Sequence, residues 1–252
     1  MTNSHFLIGF CLVTVVALAQ REPEVLVVSE TFGRPLEETR PTQDNPISYH
    51  LLGGAQLDFG GKIRRERMPD EHELERLIND TLASQGFRRM PEAGPTPDLI
   101  VTYAYGSVAV DLNDWEEAPV DDAVDTSEYL TTNEYAHGGE ILRLIGADRM
   151  QNRRMDFHTA QLFRNALQND RLYITVSAMG TAALMRQQRE IIWRTKISIE
   201  LDRNTLPDAM GAMMASAAPH FGIETEVPVF MDARDRRETE VKIGDLKVVD
   251  PD

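Results

Sequence analysis

Apolar and polar positions alternate almost without a break from Glu190 to Leu201. Ile191, Trp193, Thr195, Ile197, Ile199 and Leu201 share one side; Arg194, Lys196, Ser198 and Glu200 share the other. A period of two predicts a β-strand with one face in the core and one in water. Leu172, Ile174, Val176 and Ala178 repeat the pattern upstream, and the connection Met179 to Arg189 is short enough for a hairpin. Leu99, Val101, Tyr103 and Tyr105 mark another strand, and Ile47, Tyr49 and Leu51 one more, which bends or ends at Gly53-Gly54.

Helical spacing shows in two places. Leu74, Leu77, Ile78 and Leu82 form one stripe over Asp70 to Gln85, with Asp70 as N-cap, Glu73 in a capping box and Gly86 at the end. A closing helix opens at Thr205-x-x-Asp208 and turns Met210, Met213, Ala217 and Phe221 inward before Gly222. The order strand, helix, strand, strand, strand, helix predicts an α+β domain: a largely antiparallel sheet with helices on one face. It occupies residues 47–222 and carries a long acidic and helical insertion at 108–170. A Pro- and charge-rich arm (20–46) precedes it and an extension (223–252) follows.

Composition changes the picture in one respect. The net charge of −15 on 252 residues argues against nucleic acid as a partner, because phosphate backbones need a basic face. The N-terminus bears on location. Phe6 to Ala19 is an apolar run of signal-peptide length, and Ala17-Leu18-Ala19 is a small-x-small cleavage site that leaves Gln20 first. Residues 1–19 therefore predict export to the periplasm or beyond, with no transmembrane segment in the mature chain. Cys11 follows Phe10 rather than a small residue, which argues against lipidation there, and cleavage leaves a chain without cysteine.

Pro97-Asp-Leu-Ile-Val-Thr-Tyr103, preceded by Gln85-Gly-Phe87 and followed by Ile191-Ile-Trp-Arg194 and the closing helix, resembles the bacterial envelope proteins grouped as domain of unknown function 4136. The resemblance spans Ile47 to Phe221, interrupted by the insertion. It implies a small exported α+β protein and no particular chemistry. The chain departs from that pattern in its missing lipobox, its insertion and its C-terminal extension.

Between Val108 and Glu140 the chain holds many Asp and Glu and no Lys or Arg; an arginine-bearing helix, Ala147 to Asn169, follows with Phe157, Ala160, Phe163 and Leu167 as its apolar side. A solvated loop is the simplest reading of the acidic run. Asp111, Asn113, Asp114 and Glu116 are the candidate ligands for a calcium ion, although the Gly and distal Glu of an EF-hand loop are missing. His50, His72, His137, His158 and His220 are scattered without the close pairs of zinc sites. No nucleophile elbow or His-Glu-x-x-His occurs. The sequence thus favours a non-enzymatic envelope module that binds an unknown protein or small ligand. A hydrolase or metal-dependent enzyme, with carboxylates under the insertion, is the alternative.

Overall fold

The computed structural model describes residues 24–32, 40–59, 67–91, 93–109, 138–147, 157–188, 190–201 and 204–232. Among them seven strands form one mixed, mostly antiparallel sheet. In chain order they are β1 (Glu24–Thr31), β2 (Ile47–Gln56), β3 (Phe87–Arg89), β4 (Leu99–Val108), β5 (Arg171–Gly180), β6 (Ile191–Glu200) and β7 (Val229–Asp232). In space they run β3-β2-β4-β5-β6-β1-β7. β2 is parallel to β3 and β4; every other neighbouring pair is antiparallel. The helices are α1 (Glu71–Ser84), α2 (Gly138–Ile145), α3 (Phe157–Gln168), α4 (Thr181–Met185) and α5 (Leu206–Ala217).

The β5–β6 hairpin stands at the centre, with Ile174 opposite Ile197 and Ala178 opposite Trp193. Short α4 fills its connection. Trp193, Ile197 and Ile199 join Tyr49, Val101, Ile174 and Val176 on one face, beneath Leu74, Ile78 and Leu82 of α1 and Met210, Met213 and Ala217 of α5. Each such large side chain contributes roughly 1.5–3 kcal/mol by leaving water. Trp193 lies between Phe87 and Phe221, 5.8 Å from each ring. The N-cap works as its sequence implies: Asp70 accepts from the N–H of His72 at 2.9 Å.

The opposite face is covered as well. The insertion leaves at the end of β4 and re-enters at β5, and its helices α2 and α3 lie over that second face. Ile141 and Ile145 of α2 and Phe163 and Ala166 of α3 pack on Leu26, Val108 and Tyr173. The middle of the β6 side expected to be wet is therefore buried: Ser198 is 1% exposed and Lys196 9%. Both are satisfied. Arg171 donates Nε–H to Ser198 Oγ at 3.0 Å, and Lys196 bonds Glu30 and the carbonyl of Arg143. Burial pushes the Arg171 guanidinium down to about 10, against the opposing pull of Glu200 and Glu24. The inner side of α3 also differs from its expected stripe. Leu162, Phe163 and Ala166 are buried, Ala160 and Leu167 half-buried, and Phe157 faces solvent.

Both flanking segments enter the sheet. Glu24–Thr31, assigned by sequence to an arm, is a strand between β6 and β7. Because both of its faces are covered, Val25 to Val28 form a continuous buried run instead of alternating. In the extension, β7 pairs with β1, and Thr225 donates its N–H to the Ser29 carbonyl while its hydroxyl accepts the Ser29 N–H.

Candidate functional site

Among the described residues the outer edge of β2 is only partly covered. β3 has three residues and pairs with Ile47, Ser48 and Tyr49 alone. Met90 donates its N–H to the Tyr49 carbonyl at 2.7 Å, so the main chain of Tyr49 faces β3. Two residues on, that of Leu51 faces the same way, where β3 has ended. A bulge between Leu51 and Gly53 then shifts the alternation. Leu57 donates to Tyr105 on β4 at 2.9 Å, so the N–H and C=O groups of Gln56 and Gly54 face outward. Among the described strands, none pairs with this edge beyond Tyr49.

Beside the edge lies an open groove of about 680 Å³, walled by Leu52 to Ala55, Thr102 and Tyr103 on the sheet and by Glu71, His72 and Glu75 on α1. Gly54 is required here, since a Cβ would run into the Tyr103 ring. Leu52, thrown out by the bulge, is 67% exposed at the rim. Across the groove, Tyr103 donates its hydroxyl between Glu71 Oε1 and Glu75 Oε1, each 3.4 Å away. Burial, reinforced by Glu75 and then Glu71, holds the Tyr103 hydroxyl well above its usual range. Tyr105, whose ring stacks on Tyr103 at 6.1 Å, is raised by burial and then Glu71. The site therefore presents two carboxylates, a neutral phenol, an apolar rim and a row of main-chain donors and acceptors. A strand edge with pockets beside it is the general equipment of strand addition.

Asp111, Asn113, Asp114 and Glu116, the candidate calcium ligands, fall outside the described residues, as do His137 and the acidic run around them. Among the described residues no group of three or more His, Cys, Asp or Glu side chains is placed to hold a metal ion. Of the scattered histidines, His72 comes to the groove, on the first turn of α1. The groove itself was not anticipated. Its traces in sequence are the Gly53-Gly54 pair, which reads only as a bend, and Glu71 and Glu75, spaced to share a helix face.

Among the described residues no helix is long and apolar enough to cross a membrane. No protein-family model and no curated protein matches the chain. Two solved structures are similar in part. One is a dodecamer of a PelC point variant from Paraburkholderia phytofirmans, at 10% identity and TM-score 0.34, over 77% of this chain and 95% of that one. The other is a PDZ domain protein from Parabacteroides distasonis, at 11% identity and TM-score 0.39, over 83% of this chain and 39% of that one. At these scores neither likeness carries an argument about this protein.

Proposed function

We propose that this protein is an exported, non-enzymatic envelope module, of the kind grouped as domain of unknown function 4136, that captures an extended segment of a partner on the edge of β2 that no described strand pairs. The observation that carries the reading is the main chain of Leu51, Gly54 and Gln56 turned outward beside an open groove. An edge of this kind gives affinity through backbone hydrogen bonds and specificity through the pockets beside it. Export is supported by the apolar run Phe6 to Ala19 and its Ala17-Leu18-Ala19 site. The first described strand opens downstream, at Glu24, so cleavage there leaves every described element whole.

Two measurements test this. Intact mass of the protein recovered from the periplasmic fraction should match a chain beginning at Gln20; retention of Met1 to Ala19 defeats the export half. Selection from a random peptide display library should enrich extended sequences on the wild-type protein and lose them on Gln56→Pro. Proline at this outward-facing position removes a donor without breaking the β4 ladder. Equal enrichment on both defeats the edge as the contact site.

A further inference from the structure

We infer that the strand taken up beside β2 is cationic, carrying lysine or arginine at the position that meets Glu71 and Glu75; this rests on the reading of the β2 edge as the contact site. The edge itself, Leu51-Leu-Gly-Gly-Ala-Gln56, has no charge, so selectivity must come from the groove wall. There Glu71 and Glu75 sit one helical turn apart and converge on the hydroxyl of Tyr103. One phenolic proton serves two carboxylates, and at 3.4 Å it serves both poorly. Like charges at this spacing weaken a helix, and a cation between them removes the penalty while gaining charge-assisted bonds.

Space for such a side chain exists. A Cβ built on Gly53 would meet nothing within 4 Å, and Leu52 offers apolar contact next to it. The requirement is thus an extended segment in which basic and apolar residues alternate. A second copy of the chain fits less well. It would bring another Glu71–Glu75 pair and a further net charge of −15 to the same edge, and the bulge at Leu51/Gly53 disturbs flat edge-to-edge pairing.

The test is fluorescence anisotropy with labelled peptides of alternating lysine and valine, threonine and valine, or glutamate and valine. The lysine peptide should bind the purified protein most tightly and the glutamate peptide not detectably. Glu71→Gln/Glu75→Gln should weaken the lysine peptide about tenfold or more, with no loss in denaturant midpoint. Gln56→Pro should weaken it too. Equal binding of lysine and threonine peptides, indifferent to the glutamine pair but lost with Gln56→Pro, overturns the cationic class and leaves the edge standing. Binding untouched by Gln56→Pro removes both. Two other occupants are also decided. Sedimentation showing self-association that Gln56→Pro abolishes assigns the edge to a second copy and overturns the inference. So does a tenfold gain in peptide affinity when Lys62, Arg64 and Arg65, which follow β2 in the sequence, are replaced by serine; that assigns the edge to this chain's own basic stretch.

Discussion

The ammonium of Lys196 lies 2.8 Å from the Oε1 of Glu30, on neighbouring strands, with both side chains about nine-tenths buried. The same ammonium donates to the carbonyl of Arg143 at 2.7 Å, in the last turn of α2. Helix C-termini leave such carbonyls without intrahelical partners, and a cation there also faces the negative end of the helix dipole. One lysine therefore joins two strands of the sheet to the helix laid over them.

Removing it should be costly in a specific way. Lys196→Met leaves a buried carboxylate and a helix-end carbonyl without their cation, a loss of roughly 3–5 kcal/mol. Adding Glu30→Met should recover most of that, because the stranded charge is then gone. Urea midpoints of the two single variants and the double variant give the coupling. A double variant no more stable than Lys196→Met would show that Glu30 is not the group left uncompensated.

This ion pair also shows where the sequence stopped being informative. The alternation in β6 placed Trp193, Ile197 and Ile199 in the core correctly, and the stripe and cap of α1 were equally plain. Those signals are local. Whether the reverse side of β6 is wet depends on α2 and α3, which enter from far along the chain; Lys196 and Ser198 look like surface residues until Glu30 and Arg171 are brought to them. Strand β1 was missed for the related reason that a strand buried on both faces has no alternation to find. The groove was illegible because it lies beside a stretch of β2 that no described strand pairs, set by how short β3 is.

Alkaline pH should report on the core beneath α1. The Tyr49 hydroxyl donates to Asn79 Oδ1 at 2.7 Å, and burial pushes it up to about 12 from 10.0, with Arg89 opposing and Asp80 assisting. Between those values the unfolded chain has lost a proton that the folded chain keeps, so stability falls as pH rises. The contribution is complete below pH 10.0 and lost through about pH 12, on the order of 2–3 kcal/mol. Tyr103 and Tyr105 are raised as well and add to the decline. Denaturant midpoints across this range should fall less steeply for Tyr49→Phe than for the wild type. Parallel slopes would mean that Tyr49 ionises in the folded protein as it does in the unfolded one.

The two glycines of β2 should fail differently. Gly54→Ala drives a methyl group into the Tyr103 ring, which Tyr105 stacks against and the groove wall confines, at a cost of about 1–3 kcal/mol. Gly53→Ala meets open space but forces a side chain onto φ +119, a cost of about 1–3 kcal/mol from backbone strain alone. A double-mutant cycle separates the causes. In a Tyr103→Leu background Gly54→Ala should become markedly milder, while Gly53→Ala should cost what it did before. Equal relief of both would place the clash elsewhere.

The C-terminal side of the boundary at Phe221 and Gly222 should prove integral to the domain. Thr225 accepts the Ser29 N–H on its hydroxyl at 2.9 Å, and its own N–H returns to the Ser29 carbonyl at 2.9 Å. The Ser29 hydroxyl in turn shares a proton with Thr195 at 2.8 Å, so the clasp reaches from the tail through β1 to β6. Beyond it β7 covers the outer edge of β1, and Phe230 meets Phe163 edge-on at 5.3 Å, closing the layer under α3. Truncation after Gly222 removes all of this at once. It removes the Thr225 bonds to the Ser29 N–H and carbonyl, at about 1–3 kcal/mol each, and bares an apolar strand edge. Truncation after Asp232 keeps every one of these contacts. The shorter chain should therefore unfold several kcal/mol more easily or aggregate, whereas the chain ending at Asp232 should keep the wild-type urea midpoint. Thr225→Val, which keeps the shape and removes the hydroxyl, should lie between them. If truncation after Gly222 leaves the midpoint unchanged, β7 and the Thr225 clasp add nothing to the stability of the sheet.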